Sequence, residues 1–183
     1  MNNDFKRKRC SWVNLNNKNY VKYHDNEWCV PCYDDKKIFE YLTLEIFQAG
    51  LSYEIILNKR DNFRKAFDNF NYFKIAKYNS EDISRLLNDK SIVRNKRKII
   101  ATINNAKAFI NIIKKYNSFS NYIWSFTNTT IYETAKSSSK LSDIISKDLK
   151  SNNFLFIGSV TCYSFLQAIG IINSHEGECF KHK

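Results

Sequence analysis

Apolar residues recur along most of this chain at three- and four-residue intervals, the spacing that gathers them on one face of an α-helix. Over residues 34–50, DDKKIFEYLTLEIFQAG, such a face is formed by Ile38, Leu42, Ile46 and Ala49, and Gly50 supplies a natural stop. Glu45 falls seven residues after Ile38 and therefore shares the apolar face. The same periodicity predicts further amphipathic helices at about 52–58, 61–68, 80–88, 94–116, 119–126 and 140–149. Residues 156–170, FIGSVTCYSFLQAIG, read as a buried helix with Ser159 as N-cap and Gly170 just past its end. Nothing alternates as a paired sheet would. The segment NYVKYHDNEWCVPCY, 19–33, packs Tyr, His, Trp and carboxylates around the single Pro without periodicity, and reads as a loop that carries function or wraps a core.

Composition agrees with a helical chain. Of 183 residues, 43% are apolar and 15% aromatic, with one Pro and four Gly, which excludes disorder and fits a turn-rich β-sandwich poorly. No repeat, low-complexity linker or Pro/Gly-rich boundary divides the chain, so one all-α unit is expected over residues 1–183, with a helical core at about 34–170 and terminal segments at about 10–33 and 171–183. Charge changes the picture more. A formal net charge of +11 points to a polyanion, nucleic acid first, although a coding bias toward Lys, Asn, Ile and Tyr would give the same charge without a partner. No run of eighteen apolar residues occurs, and MNNDFKRKRC lacks the apolar core of a signal peptide, so a soluble intracellular protein is expected. In a reducing compartment Cys10, Cys29, Cys32, Cys162 and Cys179 are thiols or metal ligands in preference to disulfides.

The stretch SHEGECFKHK places His175 and Cys179 four residues apart, close enough on a helical turn to hold one ion, yet zinc wants four ligands. Cys10 and His24 offer a second pair in the N-terminal region, and the set would staple the two ends of the chain through a closed tetrahedral site. Spacing alone equally allows an exposed His175 and a free Cys179. Cys29 and Cys32, around Val30-Pro31, are either competing ligands or plain loop cysteines.

Five blocks in register, CSW, YVKYHDNEWCVP, FEYLTLEIFQAGLSY, IVRNKRKI and FIGSVTCYSFLQAIGIINSH, closely resemble the type I DNA-3-methyladenine glycosylases over roughly residues 10–179. The resemblance implies an all-helical fold of the helix-hairpin-helix glycosylase superfamily that excises 3-methyladenine from alkylated double-stranded DNA and leaves an abasic site. It also implies one structural zinc held by Cys10, His24, His175 and Cys179. Water would be the nucleophile, since no lysine matches a Schiff-base position, and the protein would act as a monomer.

By the same resemblance Glu45 contacts the base. A carboxylate on an apolar face is costly to bury without a partner, and a cationic alkylated base is such a partner, as is one of the many lysines. Tyr20, Tyr23 and Trp28 would line a stacking wall, with Trp12 a weaker candidate and Tyr53 standing where Trp is usual. Gly50-Leu51 would wedge the gap left by the flipped base, and Arg94, Lys96, Arg97 and Lys98 would meet phosphates, unless they are a solvated helix face. Cys29 and Ser91 replace glycines, and Ile46-Phe47 is bulky where small residues are frequent, which puts the pocket wall and the hairpin turn in question. The rival readings are a zinc-stapled DNA-binding module without catalysis and an enzyme shifted toward 3-methylguanine.

Overall fold

A computed structural model describes residues 7–182. The chain runs α1 (Lys18–Asn26), α2 (Asp35–Gln48), α3 (Tyr53–Ala66), α4 (Tyr72–Ile75), α5 (Ser80–Asn88), α6 (Lys96–Tyr116), α7 (Phe119–Trp124), β1 (Ile131–Tyr132), α8 (Lys140–Ser151), α9 (Ser159–Ala168) and β2 (Ile172–Asn173). The expected helical architecture is present. The expectation of no paired sheet is corrected in a small way: Ile131 and Tyr132 pair in parallel with Ile172 and Asn173. Two residues a side are too few to show an alternating pattern.

Helix α2 is the axis of the core. Ten of its fourteen residues are buried, including Glu40, Thr43 and Glu45 as well as Ile38, Leu42 and Ile46 of the predicted stripe, whereas Ala49, the stripe's last member, is exposed just past the end of the helix. It packs against α3, α6, α7 and α9, and Phe39, Phe47, Phe63, Phe67, Phe109 and Phe119 interlock around it. Bulky Ile46 and Phe47 are therefore core packing. Asp34 caps its N-terminus by accepting from the Lys37 amide, and Gly50, at φ +83°, lets the chain leave its C-terminus.

Three expectations are revised. Residues 19–33 are not all loop: α1 occupies Lys18–Asn26, capped by the Asn17 side chain, which accepts from the Asn19 and Tyr20 amides. Its buried residues are Tyr23 and His24, so the inward face carries polar side chains and no aliphatic rhythm marks it. The two helices expected at 52–58 and 61–68 are the single helix α3, because the polar residue between them, Arg60, is buried and bonded. Its guanidinium donates to Glu40 at 2.6 Å and pairs with Glu27 at 2.8 Å. Ser159 is the first residue of α9, after an N-cap at Gly158.

The turn after α9 locks the N-terminal segment in place. The Cys29 amide donates to the Gln167 carbonyl at 2.9 Å and the Cys32 amide to Ile169 at 3.0 Å. Gly170 sits at φ +77°, and a Cβ there would lie 2.4 Å from the backbone of Val30 and Pro31, so only glycine permits the approach.

Candidate active site and metal centre

Six segments converge on a cavity of about 150 Å³. Trp12 comes from the N-terminal arm, Tyr20 and Tyr23 from α1, Trp28 from the segment after it, Glu45 and Gln48 from α2, Tyr53 from the first turn of α3, and Ser164 and Gln167 from α9. All six pocket residues expected from sequence are thus brought together. The rings brace one another: Trp12 meets Trp28 edge-on at 4.7 Å and Tyr20 at 5.3 Å, and Tyr23 tilts against Tyr53 at 4.9 Å. Gln48, Ser164 and Gln167 were missed. The last two are polar residues three apart among the buried apolar residues of α9, a signal of the same kind that marked Glu45.

Glu45 is 3% exposed, and no Lys or Arg pairs with it among the described residues. The internal salt bridge that sequence left open is absent there. Burial pushes its carboxyl up to about 8, against which the neighbouring Tyr53 hydroxyl pulls weakly. That buried hydroxyl lies close to the Glu45 carboxylate and to the Tyr23 hydroxyl without closing a hydrogen bond of good geometry to either. The cavity therefore presents an acid without a cationic partner and a hydroxyl without a well-formed hydrogen bond inside an aromatic cage.

Next to this cavity, Cys10, His24, His175 and Cys179 are all buried, with ligand atoms within 4.8 Å of one another. Cys10 Sγ and Cys179 Sγ each lie 3.5 Å from His175 Nδ1, and Cys179 Sγ lies 3.4 Å from His24 Nε2. Metal bonds of about 2.3 Å to sulfur and about 2.05 Å to nitrogen, at the tetrahedral angle, give ligand edges of about 3.5 Å, so the donor set fits zinc. His24 bonds Asp25 through Nδ1 at 2.7 Å, which turns Nε2 toward the cluster, and Arg9 grips the same Asp25. The Glu176 and Lys181 amides donate to the two sulfurs at 3.4 Å. Cys29 is not in the cluster; its sulfur accepts from the Ser174 amide, and its φ of +60° is the strained conformation that a glycine would relieve. Cys32 is likewise outside the cluster.

Burial pushes the Cys10 thiol up to about 12 and the His175 imidazole down to about 4. Other bonds tie the same two ends: Phe180 donates to the Lys8 carbonyl at 2.8 Å, and Ser11 donates to Glu176 through both its amide and hydroxyl.

On the outer face, Gly50 and Leu51 are exposed at the turn between α2 and α3, and Arg94, Lys96 and Arg97 are exposed where α6 begins. The turn from α5 into α6 is held by Asp89, which accepts from the Ser91 amide and hydroxyl, and by Lys59, which donates to the Ser91 carbonyl at 3.0 Å. Ser91 has no positive φ, so the turn does not require the glycine it replaces. Lys98 departs from expectation as a phosphate contact. It is 7% exposed, and its ammonium donates to the carbonyls of Phe47 at 2.9 Å and Ala49 at 2.6 Å. A long flexible stem lets it cap α2 from α6, where those carbonyls would otherwise lack donors.

The sequence model for methyladenine glycosylase matches residues 12–182. The chain is 43% identical to DNA-3-methyladenine glycosylase 1 of Escherichia coli (strain K12) over 179 residues, covering 93% of this chain and 95% of that one. It is 38% identical to DNA-3-methyladenine glycosylase of Haemophilus influenzae (strain ATCC 51907 / DSM 11121 / KW20 / Rd), covering 93% and 96%. A crystal structure of 3-methyladenine DNA glycosylase I superposes with a TM-score of 0.92 at 40% identity, covering 96% of this chain and all of that one. A crystal structure of a variant of a 3-methyladenine DNA glycosylase I in complex with 3-methyladenine gives 0.90 at 34%, covering 96% and 99%. An aromatic cage around a lone buried acid, a Cys/His cluster joining the two ends and a family match over nearly the whole length agree: the chain belongs to the methyladenine glycosylase family.

Proposed function

We propose that this protein is a DNA glycosylase that extrudes 3-methyladenine from alkylated double-stranded DNA and hydrolyses its N-glycosidic bond, leaving an abasic site. The observation that carries the reading is Glu45, a buried carboxyl with no internal cation, in a cavity walled by Trp12, Tyr20, Tyr23, Trp28 and Tyr53. Base flipping costs a few kcal/mol of unstacking, and stacking on the aromatic wall offsets it. N3-methylated adenine in DNA is cationic, so it supplies the charge that a buried carboxylate lacks and is already a good leaving group. Glu45 thus selects the damaged base by charge and stabilises it as the bond to the sugar breaks. Its carboxylate is worth more in a water-poor site than in solvent.

No lysine lines the cavity, which supports water as nucleophile and a monofunctional enzyme. The α5–α6 turn, with Arg94, Lys96 and Arg97 exposed beside it, is the proposed hairpin that grips phosphates, and Gly50-Leu51 the proposed wedge. Zinc in the Cys10, His24, His175 and Cys179 cluster would supply structural cross-linking only, holding the arm and α1 against the tail. We place the enzyme inside the cell with access to DNA, acting as a monomeric unit. No helix among the described residues is long and apolar enough to cross a membrane.

Release of bases from methylated duplex DNA tests this directly. The expected product is 3-methyladenine without strand scission. A protein that binds the duplex but releases no base would be a DNA-binding module, and release dominated by 3-methylguanine would mark a shifted substrate.

A further inference from the structure

Among the described residues, two buried side-chain polar atoms lack a hydrogen-bond partner: Arg60 Nη2, on a guanidinium already paired with Glu27 and Glu40, and the Tyr53 hydroxyl. Only the second belongs to a residue that lines the aromatic cavity. A buried hydroxyl without a partner is destabilising in the empty protein, and a ligand that bonds it removes that penalty. Tyr53 opens α3, directly after the turn that ends α2, and its ring is set by the tilt against Tyr23 at 4.9 Å. This places the hydroxyl beside Glu45, so a carboxylate that accepts and a hydroxyl that can donate stand next to one another. The exposed edge of adenine carries the complementary pair, an exocyclic amine that donates and, beside it, the N7 ring nitrogen. Guanine carries a carbonyl in place of the amine, presenting two acceptors side by side, which a carboxylate repels.

We propose that Tyr53 is a specificity-determining residue: its hydroxyl hydrogen-bonds N7 of the extruded base while Glu45 accepts from the neighbouring amine, so the two together read adenine. This rests on the reading of the cavity as a base pocket. The hydroxyl donates to an unprotonated N7 and accepts from a protonated one, so either form of the base is satisfied.

The test is a cycle of two proteins and two free bases, wild type and Tyr53→Phe against 3-methyladenine and 7-deaza-3-methyladenine, whose carbon at position 7 can neither donate nor accept. Calorimetric titration should show Tyr53→Phe binding 3-methyladenine about five- to tenfold more weakly, on the scale of one hydrogen bond. Binding of the 7-deaza base should be the same in both proteins, and the melting temperature of Tyr53→Phe should be unchanged or higher. Equal losses on both bases would make the hydroxyl structural and overturn the inference, as would no loss on either. The wild type provides a check that needs no variant: if it binds the two bases equally, N7 is not read and the inference is wrong. A wild type that binds neither base and excises nothing overturns the base-pocket reading itself.

Discussion

With its carboxyl pushed up to about 8, Glu45 keeps a proton at neutral pH that the unfolded chain, near the ordinary value of 4.5, has already released. The native state binds more protons than the unfolded one between those values, so this group lowers stability progressively as pH rises from about 4.5 to about 8, and its contribution is constant above. Replacing Glu45 by Gln should therefore stabilise the protein relative to wild type increasingly over that range, measured as melting temperature against pH. Binding should move the other way. Charge-assisted hydrogen bonds exceed neutral ones by roughly 1–2 kcal/mol, so Glu45→Gln should lower excision of 3-methyladenine and affinity for the free base about five- to thirtyfold. Since the cationic base in DNA selects the ionised acid, wild-type kcat/KM should rise with pH up to about 8 and the variant should lose that rise. An unchanged excision rate in Glu45→Gln would end the charge-recognition mechanism. Glu45 was legible in the sequence because it interrupts an apolar stripe. Gln48 was not, since a polar residue at the end of α2 looks the same whether it faces a cavity or solvent.

Helix α6 shows the same ambiguity on the scale of an element. Its first turn begins Lys96-Arg97-Lys98, and sequence cannot tell which of three cations points inward. Asn95 caps the helix and fixes its phase, which leaves Lys96 and Arg97 exposed and sends Lys98 under the end of α2. The three residues should then separate by experiment. Alanine at Arg94 and Lys96 should flatten the salt dependence of duplex binding by up to about two units with little change in stability. Lys98→Met should leave the slope unchanged and destabilise the protein by about 1–3 kcal/mol, read from denaturant midpoints, because the buried Phe47 carbonyl and the part-buried Ala49 carbonyl lose their donor. The long helices with aliphatic stripes were readable for a plain reason: burial of Ile and Leu at three- and four-residue spacing is both what folds them and what the sequence displays. Helix α1 was opaque because its inward face is Tyr23 and His24, whose value lies in a cavity and a Cys/His cluster assembled from other parts of the chain.

Across the whole molecule, contacts distant in sequence decide what local pattern does not. Cys10 and His175 are 165 residues apart and meet within 3.5 Å, and residue types alone could only nominate them. Purified protein should contain about one zinc per chain by elemental analysis. Cys179→Ser should lower that content and reduce the melting temperature by about 10 °C, as expected when a folding-coupled metal site is broken. Excision should fall with it, since Tyr20, Tyr23 and Trp28 flank or carry the clamped segment. Gly170 belongs to the same long-range scaffold: Gly170→Ala would drive a methyl group into the Val30–Pro31 backbone and loosen the segment that carries Trp28. The clamp also has a consequence for the order of synthesis. Ribosomes add His175 and Cys179 after every helix of the described fold has been made, so the Cys/His cluster that ties residues 10–24 to the tail is the last of these long-range contacts to be completed. A nascent chain that stops before residue 175 lacks two of the four members of this cluster, and the arm and α1, which carry Trp12, Tyr20 and Tyr23, are then held by fewer contacts than in the finished protein.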